Sequence, residues 1–338
     1  MDKTDKVAEK ADPDTQDFGD KKARSGDNGI SCCVLLRDGN VIVHKNGGRH
    51  GESHHSVWIN KDTGKSQPIS VDKNDLLARV GSMFEYNGCM IILLCGGKMS
   101  ITRQGEHLFE SAELVKKKFS GVGHTFNRGR SAQLINDRLY FIESLQSALI
   151  EFDLVRLLEA EDKPAFRGKI LSETIEDFCV DKDGTIVTMA KFGKFRREGA
   201  IPLERAVMGK KENYLFTVVE TSDNLLYSTC FSAEEQAIIY LVLDKELRMI
   251  SNLPLPSPIN VLSMEAIIRN GKTLLLGVRT KVLVDLLIVH PVDKKLMLIK
   301  STVVGDNRIY GATVFEDGKR ALVYGVNDKA ALLKMLKI

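Results

Sequence analysis

Short apolar runs, each ended by polar turn residues, fill most of the chain. From Ile30 onward these runs are five to eight residues long and rich in Val, Ile, Leu, Phe and Tyr. Runs of this length and composition are typical of β-strands. Helix-like patterns are few and short, covering 111–119, 154–161 and 202–209. The pattern therefore predicts an all-β body with three short helices between groups of strands.

A tight turn that follows an apolar strand recurs seven times, at intervals of 40 to 49 residues. The seven turns are Asp38-Gly39, Asn87-Gly88, Asn136-Asp137, Asp183-Gly184, Asp223-Asn224, Asn270-Gly271 and Asp317-Gly318. Asn-Gly and Asp-Gly favour the positive φ that two-residue hairpins need. A second strand follows each turn, and a third and often a fourth come next. Seven such units predict a seven-bladed β-propeller.

Two segments resemble parts of WD40 repeats. Residues 57–65 (Val-Trp-Ile-Asn-Lys-Asp-Thr-Gly-Lys) look like a third strand and its turn, and Phe152-Asp153-Leu154 looks like the Trp-Asp position. Residues 86–97 are similar to a kelch repeat. The chain departs from WD40 sequences in having a single Trp and no Trp-Asp pair. The resemblance covers residues 30–338 at the level of strand pattern and implies a WD40-like propeller without naming a particular family.

The last repeat supplies three strands, over 309–315, 320–326 and 330–338. WD40-type rings resembling this one usually complete the last blade with an N-terminal strand. Residues before Ile30 are too polar to form that strand. We therefore predict a three-stranded last blade that closes without it.

Residues 1–29 differ from the rest in holding 8 acidic and 6 basic residues and almost no large apolar side chains. Such a segment buries too little surface to offset the entropy of ordering. We predict a disordered charged tail over 1–29 and one propeller domain over 30–338. The tail is either a solubilising segment or a segment for partner binding or modification.

Composition argues against a membrane protein, a collagen-like protein and a disulfide-stabilised scaffold. Of the 338 residues, 43% are hydrophobic and 28% are charged, and the net charge is +3. The apolar run over 90–95 is far too short to span a membrane, and the polar start does not resemble a signal peptide. Six cysteines occur without a CxxC pair. These features predict reduced thiols and a cytoplasmic or nuclear protein.

Candidate chemistry is sparse. No GxSxG, HExxH, P-loop or EF-hand pattern is present. His50, His54 and His55 lie close together and could supply two ligands to zinc, but their loop is rich in glycine, so a flexible polar loop is the alternative. We expect no cofactor, no metal and no small-molecule substrate, and an enzyme with a site at the channel mouth remains as an alternative function.

Charge is unevenly placed once the strands are ordered as in WD40 proteins. Loops between strands two and three, and between blades, then project basic residues on one face, and the hairpin turns project acidic residues on the other. The densest basic stretch, 191–198, is interleaved with phenylalanine. The candidate partner-binding residues are Arg128, Arg130, Lys191, Lys194, Phe195, Arg196, Arg197, Arg279 and Lys281.

We interpret this pattern as a non-catalytic scaffold or adaptor for protein–protein interactions. Arginine forms strong charge-assisted contacts with carboxylate and phosphate, so the predicted partner is an acidic or phosphorylated segment. RNA bound by the same face, within a ribonucleoprotein, is the alternative that the basic and aromatic residues also fit.

Overall fold

The structure is a computed structural model. It describes residues 30–36, 39–45, 55–60, 63, 65–69, 80–94, 98–103, 106–110, 132–143, 148–159, 166–170, 175–181, 183–190, 193–207, 217–220, 224–232, 235–257, 261–279, 283–304, 308–315, 319–327 and 330–338. The predicted tail over 1–29 lies outside these residues.

The described residues form 27 strands and one short helix, arranged as seven antiparallel sheets. Sheet 1 contains β1 (Ile30–Leu35), β2 (Val41–Lys45), β3 (His55–Ile59) and β4 (Ser66–Ile69). Sheet 2 contains β5 (Val80–Tyr86), β6 (Cys89–Leu94), β7 (Lys98–Arg103) and β8 (Glu106–Glu110). Sheet 3 contains β9 (Ala132–Ile135), β10 (Arg138–Glu143), β11 (Ala148–Asp153) and β12 (Phe166–Ile170), with helix α1 (Leu154–Glu159) between the last two.

Sheet 4 contains β13 (Ile175–Val180), β14 (Ile186–Ala190), β15 (Lys194–Arg197) and β16 (Leu203–Ala206). Sheet 5 contains β17 (Thr217–Glu220), β18 (Leu226–Ser232), β19 (Ala237–Leu243) and β20 (Met249–Pro256). Sheet 6 contains β21 (Val261–Arg269), β22 (Lys272–Arg279), β23 (Leu283–Val289) and β24 (Leu296–Val303). Sheet 7 contains β25 (Arg308–Val314), β26 (Arg320–Asn327) and β27 (Ala330–Lys337). Each sheet is a meander in chain order.

The described hairpin turns between first and second strands, at 87–88, 136–137, 183–184 and 270–271, lie where the sequence predicts them, whereas Asp38, Asp223, Asp317 and Gly318 lie outside the described residues. In sheet 2, Asn87 and Gly88 have φ of 47° and 74°, and in sheet 6 Asn270 and Gly271 have φ of 51° and 70°. Two consecutive positive φ values match the right-handed twist of the paired strands. Asn-Gly satisfies this requirement because both residues tolerate the left-handed region.

The apolar core lies between sheets. Seven clusters of buried apolar residues are formed by the described residues, one at each junction between consecutive sheets and one between sheets 7 and 1. At that last junction Cys33 and Val43 of sheet 1 pack with Phe315 and Leu333 of sheet 7. First strands of neighbouring sheets also contact one another, including β1 with β25. This arrangement is consistent with a propeller.

Sheet 7 has three strands in the part of the chain that the structure describes, as predicted. We predict that residues 1–29 supply no fourth strand to this sheet, and these residues lie outside that part.

The two segments that resemble WD40 repeats are third strands, as predicted. Residues 55–59 form β3, and the Asn60 side chain accepts hydrogen bonds from the Thr63 amide at 2.8 Å and the Thr63 hydroxyl at 3.0 Å. Phe152 and Asp153 end β11, and the Asp153 carboxylate accepts a hydrogen bond from the Arg156 amide at the start of α1.

One predicted helix is wrong. Residues 203–206, inside the predicted helix over 202–209, form strand β16 and pair with β15, with Leu203 opposite Arg197 and Ala206 opposite Lys194. Leu, Glu, Arg and Ala are good helix formers, but a segment this short does not offset the cost of nucleating a helix, so pairing to an available sheet edge prevails. The predicted helix over 154–161 is confirmed over Leu154–Glu159, and 111–119 lies outside the described residues.

Candidate interaction surface

The densest basic stretch is a strand and not a loop. Lys194–Arg197 form β15, the third strand of sheet 4, and successive side chains therefore point to opposite sides of that sheet. Phe195 is 0% exposed and packs with Met189 and Leu241 between sheets 4 and 5. This placement corrects the prediction that Phe195 contacts a partner, because strand alternation directs the ring into the core.

Acidic neighbours balance the three cations of β15. Lys194 Nζ lies 2.8 Å from Glu204 Oε1, and Arg196 Nε lies 3.1 Å from Glu198 Oε1. The side chains of Lys194 and Arg196 keep 33% and 37% of their surface exposed. The Lys194–Glu204 pair, exposed on both sides, contributes about 0–1 kcal/mol, whereas the Glu198 side chain is only 15% exposed. Lys194 and Arg196 each keep an exposed part of the side chain that an anion can contact.

Arg197 pairs with a mostly buried carboxylate of its own sheet. Its Nη1 lies 3.4 Å from Asp181 Oδ2, and the Asp181 side chain is only 8% exposed. Asp181 also accepts hydrogen bonds from the amides of Asp183 and Thr185, so it shapes the hairpin turn after β13. Arg197 thus lies at the hairpin-turn end of sheet 4, away from the face on which the sequence placed it.

Arg279 is buried in an ion pair. Its Nε donates to Asp285 Oδ2 at 2.5 Å and its Nη2 donates to Asp285 Oδ1 at 2.8 Å, with side-chain exposures of 7% and 0%. Ser301 Oγ donates to Asp285 Oδ1 at 2.6 Å, and Tyr240 Oη of sheet 5 donates to Asp285 Oδ2 at 2.9 Å. The prediction that Arg279 contacts a partner is thereby corrected, since both guanidinium bonds are made inside sheet 6.

The buried carboxylate also sets the state of Tyr240. Burial, and then the charge of Asp285, raise the pKa of the Tyr240 hydroxyl well above its ordinary value. The hydroxyl therefore remains a donor across the junction of sheets 5 and 6. Tyr240 reaches Asp285 over Gly277, where a Cβ atom would lie 2.9 Å from the tyrosine Cζ.

Two further side chains join neighbouring sheets and were missed from the sequence. Tyr86 Oη donates to Asp137 at 2.9 Å between sheets 2 and 3. Gln133 donates to the Phe178 carbonyl at 3.1 Å and accepts from the Val180 amide at 3.0 Å, which joins sheet 3 to sheet 4. The available signal was a polar residue inside or beside an apolar strand, because such a residue needs a partner when buried.

The remaining predicted site residues cannot be placed together. Arg128, Arg130, Lys191, Lys281, His50 and His54 lie outside the described residues, and His55 begins β3. Within the described ranges, no group of three or more His, Cys, Asp and Glu residues is positioned to hold a metal ion.

Cys33, Cys89, Cys179 and Cys230 are buried core residues. Cys33 and Cys89 are 8% and 1% exposed, and burial raises the pKa of the Cys33 thiol. None of the described helices is both long and apolar enough for a membrane span.

No protein-family profile matches the chain, and no curated protein matches it in sequence. Solved structures match it over nearly its whole length. The WD40 repeats of RRP9 align with a TM-score of 0.62 at 11% identity, covering 96% of this chain and 98% of that one. A chain of the mitotic checkpoint complex aligns with a TM-score of 0.63 at 11% identity, covering 94% and 96%.

YCF48 bound to D1 peptide aligns with a TM-score of 0.59 at 9% identity, covering 97% of each chain. Identities this low establish the fold alone. They agree with the resemblance seen in the turns and third strands of the sequence. The chain shares the fold of WD40-like propellers.

Proposed function

We propose that this chain is a non-catalytic scaffold that holds protein partners, built as a closed seven-bladed propeller. The observation that carries the proposal is its whole-length likeness to propellers found with protein partners, one in the mitotic checkpoint complex and one with a bound peptide. Seven apolar junctions support a rigid frame on which loops and strand edges are presented. We place the protein in the cytoplasm or nucleus, which agrees with its buried thiols.

We propose an acidic or phosphorylated segment as the partner of its basic surface. Lys194 and Arg196 lie on the same side of β15, since they are two residues apart on one strand. The pair of Lys194 with Glu204 is exposed on both sides and therefore weak, and the Arg196 side chain is 37% exposed beside Glu198. A phosphate carries more charge than a carboxylate and accepts bidentate arginine bonds, so it displaces these partners. Arg128, Arg130, Lys191 and Lys281 complete the proposed surface.

Affinity purification with mass spectrometry tests this function. The tagged full chain is compared with a variant in which Lys194→Glu and Arg196→Glu are combined, each sample with and without nuclease. A variant with Lys65→Glu and Lys272→Glu, two exposed lysines on other sheets, is the matched control. Arg197 is left unchanged because its loss would strand the buried Asp181 carboxylate.

The proposal requires that the captured proteins be lost with the β15 variant, kept with the control, and unaffected by nuclease. Loss after nuclease treatment would instead favour association with RNA. Equal capture by both variants would refute the basic surface, and a wild-type chain without reproducible partners would refute the scaffold.

A further inference from the structure

The outer strand of sheet 6 exposes an unusual row of apolar side chains. β24 pairs only with β23 among the described strands, so its other edge carries unpaired backbone groups. Met297, Leu298, Ile299 and Val303 are 51%, 39%, 53% and 64% exposed. Soluble proteins seldom leave a contiguous apolar edge open, and one that persists marks a place where another chain binds.

Two of the other outer strands, β20 and β8, carry residues that β24 lacks. β20 contains Pro254 and Pro256, which lack the amide donor that pairing needs, and β8 begins and ends with Glu106 and Glu110. β24 contains no proline and no acidic residue, and its one charged residue is Lys300. β24 thus combines four exposed large apolar residues with an edge that carries neither proline nor an acidic residue.

A bulge divides this edge. Leu287 pairs with Leu298 and Leu286 pairs with Lys300, so Ile299 is an extra residue on β24. A bulge bends the strand and interrupts continuous pairing. The four residues from Lys300 to Val303 remain in one register, with Ile299 protruding beside them. An incoming chain therefore finds a short pairing edge next to an exposed apolar side chain.

The charge around β24 selects the occupant. Lys294 and Lys295 precede the strand and Lys300 lies within it. The neighbouring acid, Asp293, lies 2.8 Å from His290 Nδ1 and 3.8 Å from Lys295 Nζ, so one carboxylate faces three lysines and the edge stays basic. A second copy of this chain would bring its own three lysines to the same edge, and like charges on paired strands repel. An acidic chain is attracted to these lysines, whereas a second copy of this chain is repelled by them.

We propose that β24 is a docking edge for an extended segment of another protein that alternates acidic and apolar residues. The segment pairs its backbone with Lys300–Val303 as a fifth strand of sheet 6. One of its apolar side chains covers Ile299, and its carboxylates contact Lys300 and the lysines before β24. This surface lies on sheet 6, whereas the proposed basic site lies on β15 of sheet 4. Strand addition obtains its affinity from backbone hydrogen bonds and its specificity from alternate side chains.

A random peptide library supplies the probe. Peptides of about ten residues, long enough for one strand, are selected on the immobilised full chain, and the recovered sequences are synthesised with a fluorophore for polarisation measurements. The test variant is Ile299→Glu. Ile268→Glu is the matched control, since Ile268 is 52% exposed against 53% for Ile299 but lies on β21.

We expect recovered peptides to be acidic and rich in β-branched residues. Their affinity should fall about tenfold or more with Ile299→Glu, fall similarly with Lys300→Glu, and stay unchanged with Ile268→Glu. It should also persist in the variant with Lys194→Glu and Arg196→Glu, which separates this surface from the basic one.

Four outcomes would overturn the inference. They are the recovery of no peptides, the recovery of peptides without acidic enrichment, equal binding to Ile299→Glu, and concentration-dependent dimerisation of the wild type that Ile299→Glu abolishes. The last outcome would identify a second copy as the occupant.

Discussion

Replacing Arg279 with methionine should destabilise the fold without touching any exposed surface. The change removes two hydrogen bonds, of 2.5 and 2.8 Å, from a carboxylate that is 0% exposed. Asp285 would keep only its donors Tyr240 and Ser301. Removing one partner of a buried pair costs about 3–5 kcal/mol, because the remaining charge is left uncompensated in a low-dielectric interior.

The chain provides a matched control in a surface pair of the same chemistry. Arg248 Nε lies 2.7 Å from Asp244 Oδ2, but the arginine side chain is 59% exposed. Arg248→Met should therefore cost about 0–1 kcal/mol. The expected difference between the two variants is roughly 3 kcal/mol. At about 2.1 cal/mol/K of unfolding entropy per residue, this corresponds to a melting temperature lower by about 4 °C.

Urea denaturation followed by circular dichroism measures the two losses side by side. A double variant, Arg279→Met with Asp285→Asn, should recover part of the loss, since the neutral amide still accepts from Tyr240. If Arg279→Met is no more destabilising than Arg248→Met, the buried pair does not support the junction of sheets 5 and 6. The same measurement is needed before any binding assay with the Arg279 variant, because an unfolded chain would also lose its partners.

Three further changes test other junctions and turns. Gly277→Ala should cost about 1–3 kcal/mol of unfolding free energy by urea denaturation, because the new methyl displaces the Tyr240 ring; a neutral result would contradict the close approach. Gln133→Met should cost about 1–3 kcal/mol in the same assay, since two backbone groups of β13 lose their partner. Amide hydrogen exchange that becomes faster in the variant only outside β13 would contradict this reason. Burial raises the pKa of Asp244, but hydrogen bonds from Arg248 outweigh it and leave the pKa lowered, so this group stabilises the fold above its unfolded pKa and the contribution is lost as pH falls through the folded value. Asp244→Asn should therefore flatten the loss of stability between about pH 5 and pH 3, and parallel pH profiles for the variant and wild type would refute the contribution.

Local chemistry explains which parts of the fold the sequence predicts. Asn87-Gly88 and Asn270-Gly271 are identifiable because the turn needs positive φ and few residues accept it. The segment over 202–209 misleads because Leu203–Ala206 are good helix formers, whereas pairing with β15 decides their conformation. Turns are encoded by their own residues, whereas outer strands are decided by the neighbour they meet.

The candidate site is harder to predict for a related reason. Phe195 and Arg279 belong to a basic, aromatic pattern that fits a binding face, yet both are buried. Phe195 is buried against Met189, and Arg279 is buried against Asp285. Each partner lies several residues away in the sequence and becomes a neighbour only when the strands pair. Charge counts reveal how many cations exist, and the fold determines which of them are already neutralised.

The junction between sheets 7 and 1 differs from the others in its connectivity. The chain runs directly from one sheet to the next at the six other junctions, but here the described contacts are side-chain packing such as that of Phe315 and Leu333 against Cys33. Among the described residues no backbone connection crosses this seam between sheets 7 and 1, so the two sheets can separate there without either one unfolding. Any ligand that bridges β1 and the last sheet would therefore slow that opening, and hydrogen exchange along β1 and β25 would report the seam's own stability apart from that of the sheets.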